Sequence, residues 1–285
     1  MSTLKIAIQK KGRLSEKSLA LLKSCGINIP NGTASLTAKA KNFPLEILYL
    51  RDDDIPQYVE QQVADIGILG LNEVLEKQKD VRQIEALGFS NCRLSLAIPK
   101  AQNYDGLSYF NNKRIATSYP EILGSFLKEQ NILASIEEIG GSVEIAPSIG
   151  LADGICDIVS SGSTLLTNGL KEVQVILKSE AVLIASNQLS ESKQQLLDRL
   201  LFRMRAVKNA EQNKYILLNA PNTAIAAISD ILPGMKSPTV MPLAQEGWSS
   251  VHSVVNENDF WQVIDKLKTA GAQGILVVPI QKMIA

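Results

Sequence analysis

The chain has 285 residues, 45% of them hydrophobic, which suggests two or three domains with sizeable buried cores. Its 29 basic and 29 acidic residues cancel, so no basic surplus points to nucleic acid or to an anionic membrane. The single histidine, His252, argues against a Ser-His-Asp triad, a His general base and a His-ligated metal, leaving carboxylates, Lys/Arg, hydroxyls and bound Mg²⁺ to carry chemistry.

The N-terminus enters a strand over Leu4 to Gln9 without a long apolar h-region, so no secretory signal is expected. No apolar run is long enough to span a bilayer. Lys10-Lys11-Gly12-Arg13-Leu14 follows the strand. Cations beside a glycine at a strand's C-terminal end suit a polyphosphate, although alone the string reads better as a solvated turn. Ser15 to Ser24 is an amphipathic helix closed by Gly26. Asn31-Gly32-Thr33 matches a glycosylation sequon that has no meaning without secretion. Leu45 to Leu50 is a second strand, and Asp54 can cap a helix over Ile55 to Val63 that tolerates Pro56 in its first turn. Arg51 has no comparable structural need and could reach a phosphate bidentately. Ala64 to Leu69 is a third strand, and Gly70 after it allows close approach of backbone to a ligand. Alternating strands and helices indicate a parallel, two-sided α/β layer.

A second set starts at Cys92 to Ile98 and continues with Arg114 to Thr117 and a helix over Ile122 to Gln130. Tyr119, just after a strand, either stacks on adenine or packs against its lobe, with nothing in the sequence to separate the two. Gly154 to Val159 is a buried strand interrupted by Asp157, followed at once by Ser160-Ser161-Gly162-Ser163-Thr164 and the start of a helix. Such a turn aims N–H groups and hydroxyls at one spot, and the helix adds its positive end, which suits a phosphate. Asp157 can accept hydrogen bonds from sugar hydroxyls, so cradle and acceptor together suggest a phosphorylated ribose. S-S-G-S-T alone reads more simply as a capped turn without ligand. Asp157, with Asp153 and Glu144 upstream, moves the balance toward the ligand. The glycine spacing fits neither a Walker loop nor a Rossmann fingerprint.

Ala181 to Ala185 is a strand that can return to the first lobe, and Glu191 to Lys208 is a long helix. Strand Lys214 to Asn219, helix Thr223 to Ile231, strands Ser237 to Pro242 and Trp248 to Asn256, helix Asn258 to Ala270 and strand Gly274 to Ile280 give the order βαββαβ of a ferredoxin-like module. Cys25, Cys92 and Cys156 form no zinc pattern or redox pair and fit a reducing cytosol.

The string E-I-A-P, G-L-A-D and D-I-V-S-S-G-S-T-L-L-T-N-G-L resembles the phosphoribosyl-pyrophosphate loop of the ATP phosphoribosyltransferase family, with Ser161 where the family usually has Thr. K-G-R-L over Lys11 to Leu14, the L-R-D-D-D-I-P string at Arg51, A-D-I-G-I-L-G ending at Gly70 and T-S-Y-P at Tyr119 are similar to further family motifs. Asn72 stands where the family usually has Asp, and Glu121 where it usually has Asn. The strings from Leu232 to Val240 and Gly271 to Val277 resemble the regulatory domain of the long form. Some members carry an Asp soon after the Tyr215 strand, where this chain has Asn219 and Asn222.

The resemblance implies a two-lobed, periplasmic-binding-protein-like catalytic core with a C-terminal ferredoxin-like domain. Residues 1–90 and 183–208 would form lobe I, 91–182 lobe II and 209–285 the regulatory domain. It implies a cytoplasmic homo-oligomer, hexamers exchanging with dimers, that catalyses the first step of histidine biosynthesis. Asp157 would hold the ribose hydroxyls and Ser160 to Thr164 the 5′-phosphate, with Glu144, Asp153, Gly70 and Tyr119 also at the substrates. Lys11, Arg13 and Arg51 would neutralise pyrophosphate or ATP phosphates, with Mg²⁺ held mainly by substrate oxygens. L-histidine would inhibit at a site including Ser237 and Thr239. A non-catalytic small-anion sensor and an unregulated enzyme are the other functions considered.

Overall fold

The structure, a computed structural model, describes residues 2–30, 35–232 and 237–284. The sequon at Asn31 and the stretch 233–236 of the C-terminal string lie outside the described residues. The chain divides into two compact units, Met1–Ala20 with Ile27–Leu196 and Leu21–Gly26 with Leu197–Ala285.

In chain order the elements of lobe I begin with β1 (Leu4–Gln9), α1 (Arg13–Ser24), β2 (Thr37–Lys39), β3 (Leu45–Leu50), α2 (Ile55–Glu60), β4 (Ile66–Gly70), α3 (Leu71–Lys77) and β5 (Val81–Ala86). Lobe II is β6 (Cys92–Pro99), β7 (Arg114–Thr117), α4 (Pro120–Glu129), β8 (Ser135–Glu138), β9 (Gly154–Val159), α5 (Ser163–Thr167) and β10 (Leu170–Ser179). The chain then returns through β11 (Ala181–Ser186) and continues into α6 (Glu191–Glu211).

The first sheet has the order β2-β3-β1-β4-β11-β5. Strands β1, β3 and β4 are parallel, whereas β2 and β11 run antiparallel to their neighbours. The sheet is thus mixed rather than the parallel layer expected. The reason is topological: β11 enters directly from β10 in lobe II, with no crossover helix to reverse it. All six residues of β11 are buried, as expected for an apolar strand covered on both faces. Each fully buried Leu, Ile or Val there contributes roughly 1.5–3 kcal/mol of transfer free energy. Helix α2 packs Ile55 and Val59 against Ala7, Leu69 and Ile184 of this sheet.

The second sheet has the order β10-β6-β9-β7-β8, with β7 parallel to β8 and β9 and with β6 antiparallel to β9 and β10. Its cores lie around Phe110, Leu123 and Leu127 and around Val143, Ile155 and Leu165. The two connections between the lobes run side by side. Leu87 N donates to Ala181 O (2.8 Å), and Ala181 N to Phe89 O (2.9 Å). This is the two-lobed arrangement of a periplasmic-binding-protein-like core.

The second unit carries β12 (Asn213–Pro221), α7 (Ile225–Ile231), β13 (Thr239–Pro242), β14 (Trp248–Asn256), α8 (Glu257–Thr269) and β15 (Gln273–Pro279). Its antiparallel sheet has the order β13-β14-β12-β15, the ferredoxin-like topology. Alternate residues Ile216, Leu218 and Ala220 of β12 and Val251 and Val255 of β14 bury against Ile228, Phe260 and Leu267 of the helices. Asn256 caps α8 by accepting Asn258 N at 3.0 Å.

Candidate active site

Ligand crevices in open α/β sheets lie beyond the carboxyl ends of parallel strands. Register places three such ends in line in lobe I, since Gln9 lies opposite Leu50 and Ile8 opposite Ile68. The loops holding Lys10, Arg51 and Gly70 therefore leave from one edge. Lys10 N donates to Leu50 O (2.8 Å) and Gln9 Nε2 to Asp52 Oδ2 (3.0 Å), which ties the first two loops together. Lys11 and Arg13 are exposed in their turn. Arg51 forks onto Asp53, Nε to Oδ1 at 3.0 Å and Nη2 to Oδ2 at 3.2 Å, with its side chain 78% exposed. An ion pair this exposed is worth about 0–1 kcal/mol, so an anionic ligand can compete for the guanidinium.

In lobe II, Asp157 sits near the carboxyl end of β9, opposite Ser95 of β6. Among the described residues the one hydrogen bond to its carboxylate comes from the N–H of Ile158, at 2.7 Å. Burial pushes its pKa up to about 6, and the negative charge of nearby Glu144 adds to the effect. The loop beyond β9 turns at Gly162, whose φ of 81° is easy for glycine alone. It brings the exposed hydroxyls of Ser161 and Ser163 within 2.9 Å of each other. Ser160 and Thr164 are exposed beside them. The helix expected to lend its positive end, α5, is only five residues long. The loop's own N–H groups and hydroxyls, rather than a macrodipole, must therefore hold an anion.

Asp153 does not join this group. It precedes the amino end of β9, where Oδ2 accepts Arg114 N at 2.9 Å. At about 3.3 Å per strand residue it lies roughly 13 Å along the chain from Asp157. Its place in the motif next to Asp157 reflects sequence proximity, because a strand separates the two.

Arg93 was not visible as a site residue in the sequence. From β6 it donates Nη1 to the carbonyl of Ser160 (3.1 Å) and forks onto Glu172 of β10 with Nε and Nη2, each at 2.5 Å. Ser95 Oγ donates to the same carboxylate at 2.7 Å. The spacing Arg93, Ser95 on one strand face was a usable signal. The partner was hidden because β10 mixes charged and apolar residues and carries two register shifts.

Tyr119 reaches from lobe II to lobe I. Its hydroxyl donates to Glu73 Oε1 (3.0 Å) and accepts from Asn72 Nδ2 (3.3 Å), while its ring packs against the lobe II core. Of its two readings, packing is the one these contacts describe. Burial and then the charge of Glu73 push the phenol pKa up, with Asp157 and Asp52 also acting on it, so Tyr119 sits between the acidic groups of both lobes. Burial likewise raises Glu73.

A side chain on Gly70 would collide with Asn72 Oδ1, so the glycine makes room for Asn72. Asn72 is buried, accepts Ser179 Oγ at 2.8 Å and donates to Glu73 Oε1 at 3.0 Å. An Asp there would set a second carboxylate against Glu73, which the amide avoids. Glu76 is also buried and accepts the N–H groups of Glu121 and Ile122.

In the second unit, Ser237 and Thr239 are exposed, and Thr239 pairs with His252 across β13 and β14. His252 bridges Tyr215 OH on Nδ1 and Ser250 Oγ on Nε2, both at 3.0 Å. Among the described residues, no group of three His, Cys, Asp or Glu side chains is placed to cage a metal ion. No described helix is long and apolar enough to cross a membrane.

The sequence profile of ATP phosphoribosyltransferase (HisG) matches residues 51–206, and that of the HisG C-terminal domain matches residues 210–282. An ATP phosphoribosyltransferase of Cytophaga hutchinsonii is 60% identical over 285 residues, covering 100% of both chains. One of Bacteroides thetaiotaomicron is 58% identical over 281 residues, covering 99% of each. Among solved structures, the ATP phosphoribosyl transferase (HisG:HisZ) complex from Thermotoga maritima matches with a TM-score of 0.62 and 30% identity, over 71% of this chain and 96% of that one. A histidine kinase sensor domain with similarity to periplasmic binding proteins matches with a TM-score of 0.50 and 8% identity, over 74% of this chain and 92% of that one, a likeness of fold alone.

Proposed function

The chain belongs to the ATP phosphoribosyltransferase family, and from that premise we propose that it joins N1 of ATP to the anomeric carbon of phosphoribosyl pyrophosphate. It is a pentosyltransferase of histidine biosynthesis. The observation that carries the detailed reading is Asp157, a half-buried carboxylate without a cation, immediately before a loop of exposed hydroxyls.

The N1–C1′ bond forms as the bond from C1′ to pyrophosphate breaks, and pyrophosphate leaves with the electron pair. Adenine N1 brings its own lone pair, so no strong base is required. The residues act by aligning two anions and stabilising the departing charge. Asp157 accepts hydrogen bonds from the ribose hydroxyls, with Glu144 beside it. Ser160, Ser161, Gly162, Ser163 and Thr164 hold the 5′-phosphate through hydroxyls and backbone N–H groups. Lys11, Arg13 and Arg51 neutralise pyrophosphate or the phosphates of ATP. Mg²⁺ would be held mainly by substrate oxygens, as suits an ion that keeps near-octahedral oxygen ligands, and would offset the charge of pyrophosphate.

L-histidine acts as feedback inhibitor on the C-terminal module, where Ser237 and Thr239 offer hydroxyls at the β13 edge. The same reading makes the protein a cytoplasmic homo-oligomer, with hexamers exchanging with dimers. The test is near-ultraviolet absorbance with ATP, phosphoribosyl pyrophosphate, Mg²⁺ and pyrophosphatase, with and without L-histidine. Growth of the N1-substituted adenine absorbance, suppressed by histidine, is expected. Growth without suppression would remove the regulatory role, and no growth in folded protein would replace the enzyme by an anion-binding sensor.

A further inference from the structure

Helix α3 belongs to lobe I, yet three of its side chains end on lobe II. Asn72, Glu73 and Glu76 share one face, spaced three and four residues apart relative to Glu76. Glu76 is 6% exposed, and each of its oxygens accepts one backbone N–H at 3.0 Å, from Glu121 and from Ile122. These are the second and third residues of α4, whose first-turn N–H groups have no partner within the helix. The first helical residue, Pro120, has no N–H, and Tyr119 supplies no side-chain cap. Lobe I therefore caps a helix of lobe II. Gln78 Nε2 adds a bond to Glu121 Oε2 at 3.2 Å.

The other end of α3 is fixed at the connection between the lobes. Leu71 N donates to Glu180 O (2.9 Å), and Asn72 N to Ser179 Oγ (3.1 Å). Helix α4 in turn follows directly from β7, whose end lies level with Asp157 because Thr117 pairs with Cys156 of β9. A shift of α4 therefore moves the edge from which the Asp157 loop leaves.

We infer that Glu76 is a positioning residue: by capping α4 across the cleft it sets the angle between the lobes, and so the distance from the lobe I cations to Asp157. The inference rests on the reaction proposed above, in which substrates span both lobes. A misplacement of about 1 Å between reacting groups lowers turnover on the order of 100-fold. Glu76 touches no substrate in this scheme, so its removal acts on kcat and not on the lobe II phosphate loop.

The experiment compares Glu76→Ala and Glu76→Gln with the unaltered protein in three measurements. These are kcat, the Kd of phosphoribosyl pyrophosphate by calorimetry, and the distance distribution between spin labels introduced by Gln57→Cys in lobe I and Glu129→Cys in lobe II. For Glu76→Ala, kcat is expected to fall on the order of 100-fold at a nearly unchanged Kd, with a broadened distance distribution. Glu76→Gln keeps the side-chain length and one acceptor, and should recover about tenfold of the loss. An unchanged kcat and an unchanged distribution would overturn the inference. So would a parallel loss of kcat, Kd and melting temperature in both variants, which is the signature of a merely structural carboxylate. If the unaltered protein showed no turnover, the proposed reaction would fail by itself, and the distance distribution would still decide the positioning role.

Discussion

The two ends of the parallel strands treat their aspartates in opposite ways. At the amino ends, Asp65 and Asp153 are matched. Asp65 before β4 is buried, accepts Lys5 N at 2.8 Å and pairs with Lys193 Nζ at 2.7 Å. Asp153 before β9 pairs with Arg114. At the carboxyl end, Asp157 has burial without a cation, and its pKa rises to about 6. Carboxylates that are paired locally hold strands in register. One left uncompensated inside a crevice is poised to gain partners from a ligand. The contrast separates structural from functional acids better than their motifs do, since Asp65 and Asp153 sit in family-like strings as prominent as that of Asp157.

The largest effect that can break this contrast is at Asp157. Asp157→Asn is expected to lower kcat/KM on the order of 100-fold in the coupled absorbance assay. The same substitution should stabilise the free protein. With the folded pKa raised above 3.8, the folded state binds the proton more tightly than the unfolded chain does. That contribution is fully present below pH 3.8 and is lost as pH rises through about 6. Above that pH the ionised carboxylate destabilises the fold by up to about 3 kcal/mol, which Asn removes. A melting temperature at pH 7.5 that falls in Asp157→Asn would contradict the assignment. Activity should follow the opposite sign, because the carboxylate is the working form. The acidic limb of kcat/KM should rise through about pH 6 and be absent in the variant.

Asp65→Ala should do the reverse. Removing one partner of this largely buried pair leaves Lys193 and Lys5 N unmatched. Discounted for the partial exposure of Lys193, the loss should be about 2 kcal/mol in urea unfolding, with the Kd for phosphoribosyl pyrophosphate unchanged. Arg93→Ala tests the support beneath the loop. Freed from Arg93, the Ser160 carbonyl no longer fixes the turn, and KM for phosphoribosyl pyrophosphate should rise about tenfold. The smallest change is Asp153→Ala, expected to lower stability by about 0.5–1 kcal/mol while leaving kcat/KM within error. A large activity loss there would dissolve the contrast between the two strand ends.

Periodicity was enough to read the C-terminal module, since β12 and β14 alternate buried and half-buried residues and turn signals bound each element. Strand β9 and its hydroxyl turn were legible for the same reason, an apolar run broken by one charge. Strands β2, β5, β8 and β10 and helix α3 were missed. They are short or charged, and their buried atoms are backbone or long polar side chains that carry no apolar period. Lys171, Glu172, Gln174 and Lys178 interrupt β10, yet its pairing with β6 runs nearly its full length.

What the sequence by itself determined is local chemistry: an acid followed by a hydroxyl turn, cationic loops after two strands, and a βαββαβ order. These follow from neighbouring residues, whose geometry the backbone alone constrains. Tertiary structure alone decided which acids face one another and which are neutralised. Lys193 meets Asp65 across 128 positions, Glu172 meets Arg93 across 79, and Tyr119 meets Glu73 across 46. The electrostatic state of a carboxylate depends on burial and on charges within a few ångströms, and those are set by how sheets and lobes come together.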